Sequence, residues 1–172
     1  MGYAGGSKKN PTYRDLGDHT EAIQVDFDPA VTSFEKLAEA FWTTHNPCAR
    51  PYSRQYASIL FTANEEQRRA ALASRDAEER RRGEKIHTEI APLGEFTRAE
   101  DYHQKYYLRN HPAGAELRAA FRSEAEFVDS TAAARANAYV DGQATAEAVR
   151  AGFEALDPGI RERLLGKLGM SH

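Results

Sequence analysis

The sequence predicts a domain of mixed strands and helices over residues 1–112 and a helical extension over 113–172. Three observations carry that expectation. Apolar and polar residues alternate strictly from Glu21 to Phe27, helix-capping patterns begin at Thr32 and Thr62, and the chain beyond Pro112 is alanine-rich and helical in pattern.

Residues 1–20 are rich in Gly, Asn, Pro, Thr and Asp and read as loop and turns. From Glu21 the pattern becomes that of a half-buried strand, with Glu21, Ile23, Val25 and Phe27 on one face and Ala22, Gln24 and Asp26 on the other, ending at Asp28-Pro29. Thr32 with Glu35 forms a capping box for a helix whose Phe34, Leu37, Ala38 and Phe41 share one face. A loop from Thr43 to about Arg54 leads into a second strand, Gln55 to Phe61, rich in aromatic and aliphatic residues. Thr62 and Glu65 repeat the capping pattern and open a heavily charged helix through about Arg82. Ile86 to Ile90 reads as a short strand and Arg98 to Leu108 as a short helix, with Tyr102 and Tyr106 one turn apart. In the extension, Ser123 with Glu126 forms another capping box, Gly142 is a stop, and Asp157-Pro158 is a cap followed by proline at the first helical position.

A formal net charge of −3, with acids and bases interspersed, leaves no electrostatic footprint for nucleic acid. Arg80, Arg81 and Arg82 form a local cluster that reads as a solvated helix end. The single cysteine, Cys48, excludes an intramolecular disulfide framework and a four-cysteine zinc site, and it fits a reducing compartment. No apolar stretch reaches membrane-spanning length, and the opening Met1-Gly2-Tyr3-Ala4-Gly5-Gly6 lacks the regions of a signal peptide. A cytoplasmic protein without a membrane partner is expected.

Glu21 is the position of most chemical interest, because the alternation sets its carboxylate on the same face as Ile23, Val25 and Phe27. A carboxyl leaning on an apolar face is harder to ionise and can serve as a general acid near neutral pH; at a frayed strand end the same group simply reaches water. Tyr13 in Asn10-Pro11-Thr12-Tyr13 and Tyr56 at the start of the second strand offer phenolic donors, or are core tyrosines with satisfied hydroxyls. The histidines show no short metal-ligand spacing, and Gly2, Gly5 and Gly6 match no phosphate-binding pattern. Cys48 has Arg50 and Arg54 near it in sequence, but a reactive thiolate needs such a cation beside it in space.

Seven short segments, in order over about residues 2–110, resemble the A-type peptide methionine-S-sulfoxide reductases. They are Gly2-Tyr3-Ala4-Gly5-Gly6, Asn10-Pro11-Thr12-Tyr13, His19-Thr20-Glu21, Phe41-Trp42-Thr43-Thr44-His45-Asn46-Pro47, Gln55-Tyr56, Thr88-Glu89-Ile90 and Ala99-Glu100-Asp101-Tyr102-His103-Gln104. Leu16-Gly17-Asp18-His19-Thr20-Glu21 is similar to a subfamily also found in insects. The resemblance implies an α+β, ferredoxin-like two-layer sandwich and reduction of methionine-S-sulfoxide in proteins or as the free amino acid, a repair function. It implies Glu21 as the acid and Tyr13 and Tyr56 as the phenols that hold the departing oxygen. It implies no cofactor, with thioredoxin or another thiol as reductant.

Departures from the family pattern bound what the chain is expected to do. The family's Gly-Cys-Phe-Trp-Gly signature, which carries the nucleophilic cysteine, lies upstream of Gly-Tyr-Ala-Gly-Gly and has no counterpart in these 172 residues. The loop Cys48 to Arg54 is short and lacks an aspartate found there in the family, and the C-terminal resolving cysteines are absent. The expectation is a reductase domain without its first strand and helix, with Met1 an internal position of a longer protein and the chain as given inactive. The alternative is a non-catalytic methionine-sulfoxide-binding protein that keeps the oxygen cradle.

Overall fold

The structure, a computed structural model, describes residues 1–170, in two compact units: residues 1–99 and a second beginning at Glu100. Mixed strands and helices make up the first unit, and helices the second.

In the first unit, β1 (Gly2–Ala4) is the middle strand of an antiparallel sheet, with β2 (Thr20–Ala22) on one side and β5 (Phe96–Arg98) on the other. The expected loop at residues 1–20 therefore contains a buried strand, with Tyr3 only 1% exposed and packed with Leu16 and Ala99. Glycine at position 2 is required by close approach, since a Cβ there would overlap the Phe96 ring and the Thr97 carbonyl of β5.

The expected strand Glu21 to Phe27 is corrected in the same sheet. Its ladder stops at Ala22, and Ile23 and Val25 are 77% and 53% exposed. A strand extends only as far as a neighbour accepts and donates its backbone hydrogen bonds, and among the described residues no strand pairs with 23–27.

β3 (Ile59–Thr62) and β4 (Glu89–Pro92) pair in parallel, with Ile59 opposite Glu89. Both begin later than the alternation suggests, because this register sets the ladder. α1 (Phe34–Thr43) and α2 (Glu65–Arg82) accompany them. Each helix is capped one or two residues past the expected threonine. Ser33 accepts from the Lys36 N–H and Asn64 from the Gln67 N–H, so Thr32 and Thr62 lie outside the caps.

Glu65 and Glu66 lie in the first turn of α2 and Arg80 to Arg82 in its last, each sign matching the helix dipole, and Gly83 closes the helix at φ +68°. Arg82 departs from a solvated end: it donates to the Trp42 carbonyl at 3.0 Å and pairs with Glu78. The buried Trp42 indole donates to Ser74 Oγ at 3.1 Å, tying α1 to α2.

The second unit holds a 3-10 turn at Asp101–His103 and α3 (Tyr106–Arg109), where one helix over Arg98 to Leu108 was expected. Lys105 at φ +51° interrupts the path between them. Then follow α4 (Gly114–Ala119), α5 (Glu124–Asp129), α6 (Thr131–Val140), α7 (Ala146–Gly152) and α8 (Pro158–Lys167). Their sequence signals operate as read. Ser123 accepts from the Glu126 N–H, Gly142 adopts φ +75° after α6, and the Asp157 carboxylate accepts from the Gly159 and Ile160 N–H groups with Pro158 inside the helix. Leu108, Leu117, Phe127, Val149, Phe153 and Leu164 are fully buried in one continuous core.

Candidate active site around Glu21

Glu21 sits in the middle of β2, opposite Tyr3 of β1. Three hydrogen bonds stitch residues 20–21 to residues 54–55. Thr20 Oγ1 donates to the Arg54 carbonyl at 2.8 Å, the Glu21 N–H donates to the Gln55 carbonyl at 3.0 Å, and Gln55 Nε2 donates to Glu21 Oε1 at 2.7 Å. Arg54 is itself held by the Glu89 carboxylate at 2.9 Å. The segment leading into β3 is thus tied to β2 at residues 54 and 55, and Tyr56 follows them with its side chain 56% exposed. The premise that Glu21 leans on a buried apolar face is corrected, because Ile23 and Val25 on that face are open to solvent.

Tyr13 arrives by another route. Thr12 and Asp15 exchange backbone hydrogen bonds at 3.2 and 3.0 Å, so Tyr13 and Arg14 form the tip of a tight turn, with Tyr13 43% exposed. The loop carrying this turn is closed at its base by the two residues that precede Thr20. Asp18 accepts from the Ser7 N–H at 2.8 Å and from the Lys8 N–H at 3.1 Å, and these donors hold its carboxyl down at about 2. Buried His19 accepts the Gly6 N–H at Nδ1 (3.3 Å), so its proton is on Nε2, which faces the Lys8 carbonyl at 2.8 Å. A Cβ at Gly6 would approach the His19 ring to 2.6 Å, so only glycine lets the ring reach this position.

Glu21 and the Gln55-Tyr56 segment are therefore tied directly, and Tyr13 is carried on a loop anchored to residues 18 and 19. Sequence reasoning assigned no role to Asp18, His19 or Gln55. His19 and Gln55 were visible only as members of short motifs, and the Glu21–Gln55 contact spans 34 residues, beyond any periodic signal.

Cys48 has different neighbours. Burial comes first among the causes that push its thiol up, followed by the Glu84 carboxylate, with Arg82 opposing. The sequence-adjacent Arg50 and Arg54 are not among them. A depression of about 470 Å³ lined by Glu79, Arg80, Gly83, Glu84 and Lys85 lies at the end of α2 and includes none of Glu21, Tyr13 and Tyr56.

His45 underpins the segment that presents Gln55. Its Nδ1 faces the Phe41 carbonyl at 2.9 Å, and its Nε2 faces Ser58 Oγ at 2.8 Å and Thr88 Oγ1 at 3.1 Å, linking the end of α1 to the residues before β3 and β4. Burial lowers its pKa from the ordinary 6.5; the Phe41 carbonyl opposes this and Arg82 reinforces it. With the folded value below the unfolded one, the unfolded chain takes up this proton first as pH falls. Stability from this group is expected to be full above pH 6.5 and to decline as pH drops below it toward the folded value. Urea midpoints measured between about pH 7.5 and 5 should fall less steeply in His45→Gln than in the parent; equal slopes would show that His45 is not responsible.

Comparison with known proteins gives the family. The family described as Peptide methionine sulfoxide reductase matches residues 1–136. A peptide methionine sulfoxide reductase of Drosophila melanogaster is 50% identical over 113 residues, covering 64% of this chain and 46% of the relative. Peptide methionine sulfoxide reductase A5 of Oryza sativa is 41% identical over 145 residues, covering 81% of this chain and 57% of its own. Peptide methionine sulfoxide reductase MsrA of Methanosarcina acetivorans is 44% identical over 119 residues, covering 62% of this chain and 63% of its own. The chain spans about half the length of the curated relatives it matches. With the family match covering most of its residues, the chain belongs to the peptide methionine sulfoxide reductases, A type.

Proposed function

We propose that this chain carries the oxygen-binding and proton-donating half of a peptide-methionine (S)-S-oxide reductase. The observation that carries the reading is the Glu21 carboxyl held by Gln55, the residue before Tyr56 in the chain, in a chain of this family. In the reaction a thiol sulfur bonds to the sulfoxide sulfur and the S–O bond breaks. The oxygen passes to the thiol sulfur as the transient S–S bond breaks, so the methionine sulfur is reduced to the thioether and the thiol sulfur is oxidised to a sulfenic acid. Glu21 supplies a proton to that oxygen while Tyr13 and Tyr56 hold it. A second thiol then condenses with the sulfenic acid, releasing water, and thioredoxin or another dithiol reduces the disulfide. The protein needs no further cofactor, acts in the cytoplasm, and builds these residues on a ferredoxin-like sandwich. No helix among the described residues is long and apolar enough to cross a membrane.

The nucleophile in this reading is a thiol other than Cys48, because burial and Glu84 push the Cys48 thiol up, away from the thiolate that a nucleophile must be. The 172 residues alone are then inactive. The test is a thioredoxin-coupled assay on methionine-S-sulfoxide, run on this chain and on a form extended upstream through its reading frame. Turnover only in the extended form, retained in Cys48→Ser, is the expected result. Turnover by the 172-residue chain that disappears in Cys48→Ser would make Cys48 the nucleophile and overturn that part of the reading. One other reading is a protein that keeps the Glu21–Gln55 pair and binds methionine sulfoxide without reducing it; sulfoxide binding with no turnover in either form would select it.

A further inference from the structure

Gln55 grips Glu21 at two points. Its carbonyl takes the Glu21 backbone N–H at 3.0 Å and its side-chain amide donates to Glu21 Oε1 at 2.7 Å. The first bond sets the position of Glu21 along the edge of β2, and the second sets the rotation of the carboxyl. The amide presents its Nε2–H donor, not its oxygen, to Glu21 Oε1.

We propose that Gln55 is a positioning residue that places the transferable proton of Glu21 on Oε2, an inference that rests on the reading of Glu21 as the proton donor. An amide NH₂ has no lone pair with which to receive a carboxylic proton, so Oε1 takes the carbonyl role and the hydroxyl falls to Oε2. The sulfoxide oxygen must then be met by Oε2. As that proton leaves, negative charge spreads over both carboxyl oxygens, and the bond from Gln55 becomes charge-assisted. An interaction stronger after proton transfer than before lowers the barrier to the transfer and leaves substrate binding alone. Gln55 makes and breaks no covalent bond.

The experiment uses whichever form of the protein turns over methionine-S-sulfoxide, the 172-residue chain or its in-frame extension. Gln55→Leu is compared with the parent and with Glu21→Gln. The expected result for Gln55→Leu is a kcat lowered about 10- to 100-fold, the scale of a hydrogen bond to a charged group, with KM for methionine-S-sulfoxide and the urea midpoint close to the parent's. A merely structural role would lower the midpoint and leave kcat of the folded fraction unchanged. Parent-like kcat in Gln55→Leu beside an impaired Glu21→Gln overturns the assignment of Gln55 and leaves Glu21 in place. Parent-like kcat in Glu21→Gln removes the acid and the Gln55 role with it, and absence of turnover in every form removes both. Should Gln55→Leu fail to fold, Gln55→Glu carries the test. Its carboxyl can donate to Oε1 only when protonated, and once ionised it draws the Glu21 proton onto Oε1 and away from Oε2, so its rate must fall with rising pH relative to the parent, and superimposable pH profiles overturn the proposal.

Discussion

Phe127→Ala is expected to cost about 3–5 kcal/mol, the range for truncating a fully buried aromatic ring, and to produce the largest single loss of stability in the second unit. The ring is 0% exposed and belongs to the core formed by α3 to α8. Phe121 meets it edge-on with centroids 6.0 Å apart, and the Arg109 guanidinium lies 5.1 Å above its face. That guanidinium is in turn fixed by Glu124, which also accepts from Arg118 Nε at 2.6 Å. Removing the ring therefore leaves a cavity and also removes the aromatic face from a cation whose position the ion pairs hold, so the surroundings cannot collapse freely into the gap. Urea denaturation followed by circular dichroism checks this. A Phe127→Leu variant should recover more than half of the loss by refilling most of the volume. A cost below about 1 kcal/mol for Phe127→Ala would mean that this core is far looser than its burial indicates.

The helices of this chain were legible because their signals are local. Ser123, Gly142 and Asp157-Pro158 act within four residues of the groups they satisfy, and each sits where the pattern set it. Where the signal was off by a residue or two, as at Thr32 and Thr62, the true caps Ser33 and Asn64 offer equally suitable side-chain acceptors for the backbone N–H groups, and pattern alone does not choose between adjacent polar residues. The strands were poorly legible because strand length is decided by the partner. Gly2–Ala4 is too short to show a period, begins with glycine and is followed by another, yet it is the middle strand of its sheet. The alternation from Glu21 to Phe27 was clear but outran its ladder at Ala22. The site divides in the same way. Glu21, Tyr13 and Tyr56 stood out through their motifs, whereas the Gln55 clasp joins residues 34 apart and depends on how β2 meets the segment before β3.

Glu21→Gln is expected to lower kcat for methionine-S-sulfoxide by about 10²–10⁴-fold, the range for loss of a general acid, in the form of the protein that turns over. Glutamine has the shape of glutamate, and its side-chain oxygen can still accept from Gln55 Nε2, so the 2.7 Å clasp and the register of Glu21 opposite Tyr3 are retained. What is lost is the ionisable proton. A carboxamide can donate a hydrogen bond to the sulfoxide oxygen but cannot release the proton as the S–O bond breaks, so substrate binding should survive better than turnover. The phenols differ in kind: Tyr13→Phe and Tyr56→Phe remove one donor each and leave the proton source in place, so each should cost less than Glu21→Gln. The ordering decides between two accounts of the site. A dominant Glu21 effect on kcat, with KM nearly unchanged, identifies proton transfer as the task of this cluster. Equal effects of all three substitutions, falling on KM, identify a cradle that binds the sulfoxide oxygen without protonating it, and parent-like rates in Glu21→Gln at every pH would exclude the acid role altogether.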